Sequence, residues 1–84
     1  MKKTHGYHSR EIAKGVLGQK SKIREEFEEF EDALEQENPV MALVELSDLI
    51  GAVEAYALTY GVSLENLITM KDATARAFAS GKRK

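Results

Sequence analysis

The chain of 84 residues has no cysteine, no tryptophan and a single proline. Without cysteine, disulfides and thiolate zinc sites are excluded. No apolar run approaches the roughly 20 residues needed to cross a bilayer, so a soluble protein with no membrane partner is expected. The N-terminus, Met1-Lys2-Lys3-Thr4-His5-Gly6, is basic but lacks the apolar stretch of a signal peptide, which predicts a cytoplasmic location. Positive charge is missing from the middle. Residues 25–70 carry twelve acids and no Lys or Arg, the bases being confined to residues 2–24 and 71–84. Such a middle cannot neutralise itself through pairs along its own helices. It needs cations from elsewhere, either metal ions or the basic ends of the chain. A continuous basic face is also absent, which argues against a nucleic-acid duplex as partner.

What is present is helical patterning, in a length that suits one small domain spanning residues 1–84. Residues 1–8 show no period and read as an irregular arm, with His5 and His8 as ordinary surface side chains, as is usual near a terminus. Ser9 as a cap and Glu11 in a first turn predict a short helix over about residues 10–17, weakened by Gly15 and Gly18. Ser21 reads as the cap of a second helix reaching about Gln36. There Ile23, Phe27, Phe30 and Leu34 recur at a helical period and form the expected core stripe. Glu26, Glu29 and Lys22 fall on one edge of that stripe, beside Ala33. Glu25, Glu28 and Asp32 point further toward solvent.

Asn38-Pro39 combines a cap with a proline at the first helical position. The helix it starts is expected to reach about Tyr60, ahead of Gly61 as a terminating residue. Leu43, Leu46, Leu49, Ile50, Val53 and Ala57 form its main stripe, and further apolar residues spread around most of its circumference. A helix apolar on nearly all sides is buried. One short chain can hardly cover it, so a subunit interface is inferred. Ser63 caps the last helix, whose apolar residues include Leu67, Ile68, Met70 and Phe78. The fold class is therefore all-α, a bundle of about four helices that forms a dimer or a dimer of dimers.

Within this frame the acids carry the chemistry. Glu26 and Glu29 share one helix face, and Glu45 and Asp48 share a face of the next helix. If the two helices pack antiparallel, four carboxylates converge. They repel one another and have raised pKa values unless a cation sits among them. Hard divalent cations such as Mg²⁺ take oxygen ligands and keep positions for water and phosphate. Glu45 and Asp48 stand within apolar surroundings, where acids rarely lie unpaired. Lys22, Lys71, Arg76 and Arg83 are the cations expected to hold phosphate oxygens.

Glu25-Glu26-x-x-Glu29 and Glu45-x-x-Asp48, on consecutive helices of an all-α chain, resemble the signature of the MazG-like nucleoside triphosphate pyrophosphohydrolases. That superfamily also holds dimeric dUTPases and phosphoribosyl-ATP pyrophosphohydrolases. The resemblance covers residues 21–83. It implies Mg²⁺-dependent cleavage, with Mn²⁺ as a substitute, of a (deoxy)nucleoside triphosphate between the α and β phosphates, giving a monophosphate and pyrophosphate. It further implies self-association, with metal sites at or near the subunit interface. By position, Glu26, Glu29, Glu45 and Asp48 are the implied metal ligands, and Glu25 is a supporting acid or the base for the attacking water. Ser47 and the Leu49-Ile50-Gly51 run differ from the Tyr/His-containing segment expected in phosphoribosyl-ATP enzymes, which points away from that branch. The rival expectation is a non-catalytic helical dimer that serves as a protein-interaction module, its acids being surface charge.

Overall fold

A computed structural model describes residues 8–79 and 81. Among the described residues there are three helices, α1 (Lys20–Glu35), α2 (Pro39–Leu58) and α3 (Leu64–Ala79), and no strand. The helix expected over residues 10–17 is not formed: the segment from His8 to Gly18 is extended and turned. Its side chains and amides bond to α1 instead of to each other, and Ile12, only 1% exposed, anchors it. Gly15 lies so close to α1 that a Cβ there would collide with the Ser21 backbone. The glycine thus marks a close approach rather than a weak spot in a helix.

Helix α1 starts at Lys20, one residue before the expected cap, and Gln19 caps it without a side-chain bond. Ser21 Oγ accepts the Val16 amide at 3.0 Å and fastens the preceding segment. At the other end, the Glu37 amide bonds to the Leu34 carbonyl and the Asn38 amide to the Ala33 carbonyl. This 5→2 and 6→1 pairing is a Schellman turn, with Glu37 in the left-handed position at φ 57°. Asn38 then caps α2 as expected, its side chain accepting the Met41 amide at 3.1 Å with Pro39 at the first position. A second Schellman pattern closes α2: Gly61, at φ 75°, bonds to Leu58 and Val62 bonds to Ala57. Ser63 Oγ accepts the Asn66 amide, and Asn66 Oδ1 accepts the Ser63 amide. This reciprocal box starts α3 where Ser63 was expected to start it.

Helices α1 and α2 form a tight hairpin. Glu29 lies beside Glu45, and Glu26 lies beside both Glu45 and Asp48. As the first number falls the second rises, so the helices run antiparallel. The face that α1 turns inward is not the expected one. Glu25, Glu26, Glu29, Asp32 and Ala33 are buried, whereas Phe27 and Leu34 are about half exposed. Likewise α2 buries Ala42, Glu45, Ala52 and Ala57, while Leu43 and Ile50 face outward. Small alanines let the two backbones come together, and carboxylates fill the space a core normally gives to Leu or Ile. Helix α3 leans on the second half of α2 and has no buried residue of its own, so Ile68, Met70 and Phe78 are exposed.

Candidate metal centre

The inward face of α1 and α2 carries the four sequence-predicted carboxylates to one place. Carboxylate oxygens of Glu25, Glu26 and Glu29 lie within 4.8 Å of one another, as do those of Glu26, Glu45 and Asp48. Glu45 is fully buried and Asp48 is exposed at the rim. Glu29 is pushed up to about 7 by burial first and then by the charges of Glu26 and Glu25. Glu45 is raised as well, by burial and by Asp48. Both shifts express the cost of holding like charges together away from water. Glu26 Oε1 is buried and accepts no hydrogen bond, which normally costs a carboxylate dearly. An all-oxygen set with such an orphaned atom fits a hard divalent cation.

Glu25 sits at the end of the cluster and is already engaged. Its Oε1 accepts the Gly15 amide at 2.8 Å and Lys22 Nζ at 3.0 Å, and Lys14 is 3.4 Å from Oε2. Burial alone would raise this carboxyl, but the Gly15 bond and the Lys22 and Lys14 charges together lower it. Lys22 also lies 3.1 Å from Glu26 Oε2. Among the described residues, Lys14, Lys22 and His8 are the basic side chains paired with Glu25, Glu26, Glu29 and Glu45. Of the other cations named from the sequence, Lys71 pairs with its neighbour Asp72 at 2.8 Å. Arg76 is exposed in the last turn of α3, and Arg83 lies outside the described residues, as does His5.

Three site residues were misplaced by the sequence reading. Glu25, expected toward solvent, is only 2% exposed. Asp32, expected near solvent, is fully buried. It accepts His8 Nδ1 at 2.8 Å, the Ser9 amide at 3.0 Å, the Ser9 hydroxyl at 2.5 Å and Gln36 Nε2 at 2.8 Å. His8, expected on the surface, is half-buried with its ring turned into the cluster, its Nε2 3.5 Å from Glu45 Oε2 and 3.8 Å from Glu29 Oε1. The sequence did hold a signal for Asp32. Glu25, Glu29 and Asp32 recur at i, i+4 and i+7, a core period written in acids. No comparable signal marks His8, because its partner is 24 residues away.

The model of the phosphoribosyl-ATP pyrophosphohydrolase family matches residues 2–73. The chain belongs to that family. As a member of the all-α, MazG-like superfamily, the family accounts for the paired acid motifs on α1 and α2. It corrects the reading of Ser47 and residues 49–51 as pointing away from the phosphoribosyl-ATP branch. Activity on a phosphoanhydride bond is what the family's name describes, and the rival reading as a mere interaction module is not favoured. No curated protein and no solved structure matches the chain. Among the described residues no helix is long and apolar enough to cross a membrane.

Proposed function

We propose that the chain is a Mg²⁺-dependent pyrophosphohydrolase that cleaves the triphosphate of a nucleotide between its α and β phosphates. Water adds to phosphorus, the bond to the bridging oxygen breaks, and a monophosphate and pyrophosphate leave. The observation that carries this reading is the meeting of buried Glu26, Glu29 and Glu45 with Asp48 at the exposed rim, Glu26 Oε1 lacking a partner. These four would hold the cation. Bound there, it would neutralise charge on phosphate oxygens and lower the pKa of a coordinated water.

The surrounding residues have separable tasks. Lys22, touching Glu25 and Glu26 at once, offers positive charge where phosphate oxygens would arrive, and Lys14 adds to it from the preceding segment. Glu25, bonded to Gly15 and two lysines, acts as the supporting acid that fixes Lys22 and the loop, rather than as a base. Lys71 and Arg76 stand exposed on α3 and would serve a site completed by a second copy of the chain, as self-association would allow.

Pyrophosphate release should be measured with Mg²⁺ against a panel of nucleoside and deoxynucleoside triphosphates and phosphoribosyl-ATP. One substrate is expected to stand out. Glu29→Gln and Asp48→Asn should each lower the rate at least about 100-fold and remove the thermal stabilisation that Mg²⁺ gives any protein binding it in the native state. No release from any substrate by a folded, Mg²⁺-loaded chain would overturn the reading.

A further inference from the structure

His8 is not among the ligands that the acid motifs supply, yet its ring is fixed against the same cluster. Its Nδ1 is 2.8 Å from Oδ2 of Asp32, and Asp32 is itself fixed by the Ser9 amide and hydroxyl and by Gln36. Burial would raise the Asp32 carboxyl, but these bonds outweigh it and hold the group down to about 2. An ionised carboxylate only accepts hydrogen bonds, so Nδ1–H donates to Asp32 and Nε2 is the ring nitrogen left facing the cluster. That nitrogen is turned toward Glu29 and Glu45, and one donor atom from each of the three residues falls within 4.8 Å of the others. A histidine that binds metal through one nitrogen almost always gives its other N–H to a carboxylate or carbonyl, which sets both tautomer and ring orientation. Here that arrangement is assembled from residues more than twenty positions apart. A separate sign of an expected ion is Glu26 Oε1, unpartnered on a side chain 8% exposed at the same cluster.

We propose that His8, oriented by Asp32, is the nitrogen donor of the cation site, so that the site binds Mn²⁺ through nitrogen and oxygen and holds it more tightly than Mg²⁺. The inference rests on the reading that the carboxylates bind a divalent cation. Mg²⁺ takes oxygen ligands and gives up its waters reluctantly. First-row divalent cations accept imidazole readily, and affinity for a mixed N/O set rises along the series from Mn²⁺. The carboxylates alone suffice for Mg²⁺. His8 adds a contact that favours Mn²⁺.

The test needs no turnover. Mn²⁺ is added to the full chain and pulsed electron paramagnetic resonance is used to look for coupling to a ring nitrogen. Calorimetry then measures Mn²⁺ and Mg²⁺ affinities for the wild type and His8→Gln. Nitrogen coupling is expected in the wild type and is lost in His8→Gln. The variant should lose at least about tenfold in Mn²⁺ affinity with Mg²⁺ binding nearly unchanged. Mn²⁺ bound without nitrogen coupling, or equal losses for both cations, overturns the role of His8 while leaving the carboxylate site standing. Failure of either cation to bind the folded wild type overturns the carboxylate site and the inference with it. The wild-type spectrum decides the question even if the variant folds poorly.

Discussion

Asp32 and Glu29 are three positions apart on one helix, both buried, and their carboxyl groups are displaced in opposite directions. The difference lies in what each faces. Asp32 collects donors from His8, Ser9 and Gln36, which overcome its burial and hold it down to about 2. Glu29 faces Glu26 and Glu25, which add to its burial and push it up to about 7. The consequences for stability have opposite signs. Glu29 is raised, so its contribution is complete below its unfolded value of 4.5 and is lost as pH climbs through about 7. Asp32 is lowered, so its contribution is present above 3.8 and is lost as pH falls toward 2. Without divalent cations the melting temperature should therefore decline between pH 4.5 and about 7. Saturating Mg²⁺ should flatten that decline, because a cation competes with the proton for the same oxygens. Calorimetric melts across this range, with and without Mg²⁺, check both halves. A metal-free melting temperature that does not fall would mean that the acids are not crowded as described.

At the scale of the elements, helix existence and boundaries were largely legible in the sequence, but the inward faces were not. Asn38-Pro39, Gly61 and Ser63 mark helix ends through local bonds, and local bonds depend on nearby residues alone. The face that packs depends on the partner. Helix α1 carries two stripes of equal period, Ile23-Phe27-Phe30-Leu34 and Glu25-Glu29-Asp32, set about two residues and hence about 200° apart. Transfer energies favour burying the first. The second lies inward because Gly15, Lys14, Lys22, His8 and Ser9 supply charges and donors that no periodicity reveals. The same long-range bonds explain why residues 10–17 do not coil into the expected helix. The convergence of Glu26, Glu29, Glu45 and Asp48 was legible, since it needed only helix spacing and an antiparallel turn. One local strain also belongs to this scale. Glu37 holds the left-handed position of the α1 Schellman turn at φ 57°, which glycine occupies without the Cβ penalty. Its side chain is exposed. Glu37→Gly should therefore stabilise the chain by about 0.5–1 kcal/mol, read as a higher denaturant midpoint with an unchanged slope. A lower midpoint would show that the side chain does more than tolerate the turn.

On the scale of the whole molecule, the burial pattern is inverted for a single chain. Carboxylates occupy the interior, while Phe27, Leu34, Leu43 and Ile50 on the hairpin and Ile68 and Phe78 on α3 are each about half exposed or more. Helix α3, 16 residues long, buries no residue fully, and helices of that length are marginal in water when nothing covers them. An apolar groove between α2 and α3, lined by Leu49, Ile50, Val53, Leu64, Leu67 and Ile68, is open to solvent. Contiguous apolar surface of this kind marks an association site, and a second copy offers a matching one by two-fold symmetry. Self-association would also supply the burial that a small core of alanines and acids cannot. The chain is therefore expected to sediment as a dimer or a dimer of dimers at micromolar concentration. Ile50→Glu with Ile68→Glu should shift it to the monomer and lower its helix content together, because α3 loses its cover when the partner leaves. Expression of the wild type as a fully helical monomer would sink this account. A variant that became monomeric with α3 intact would instead show that the lean of α3 on α2 is sufficient alone. If the partner's α3 is what brings Lys71 and Arg76 to the phosphates, the double variant should also lose pyrophosphate release while keeping Mg²⁺ stabilisation of the α1–α2 hairpin. Measured side by side, the two responses separate the proposed cation site, whose carboxylates come from one chain, from a substrate site that would take two.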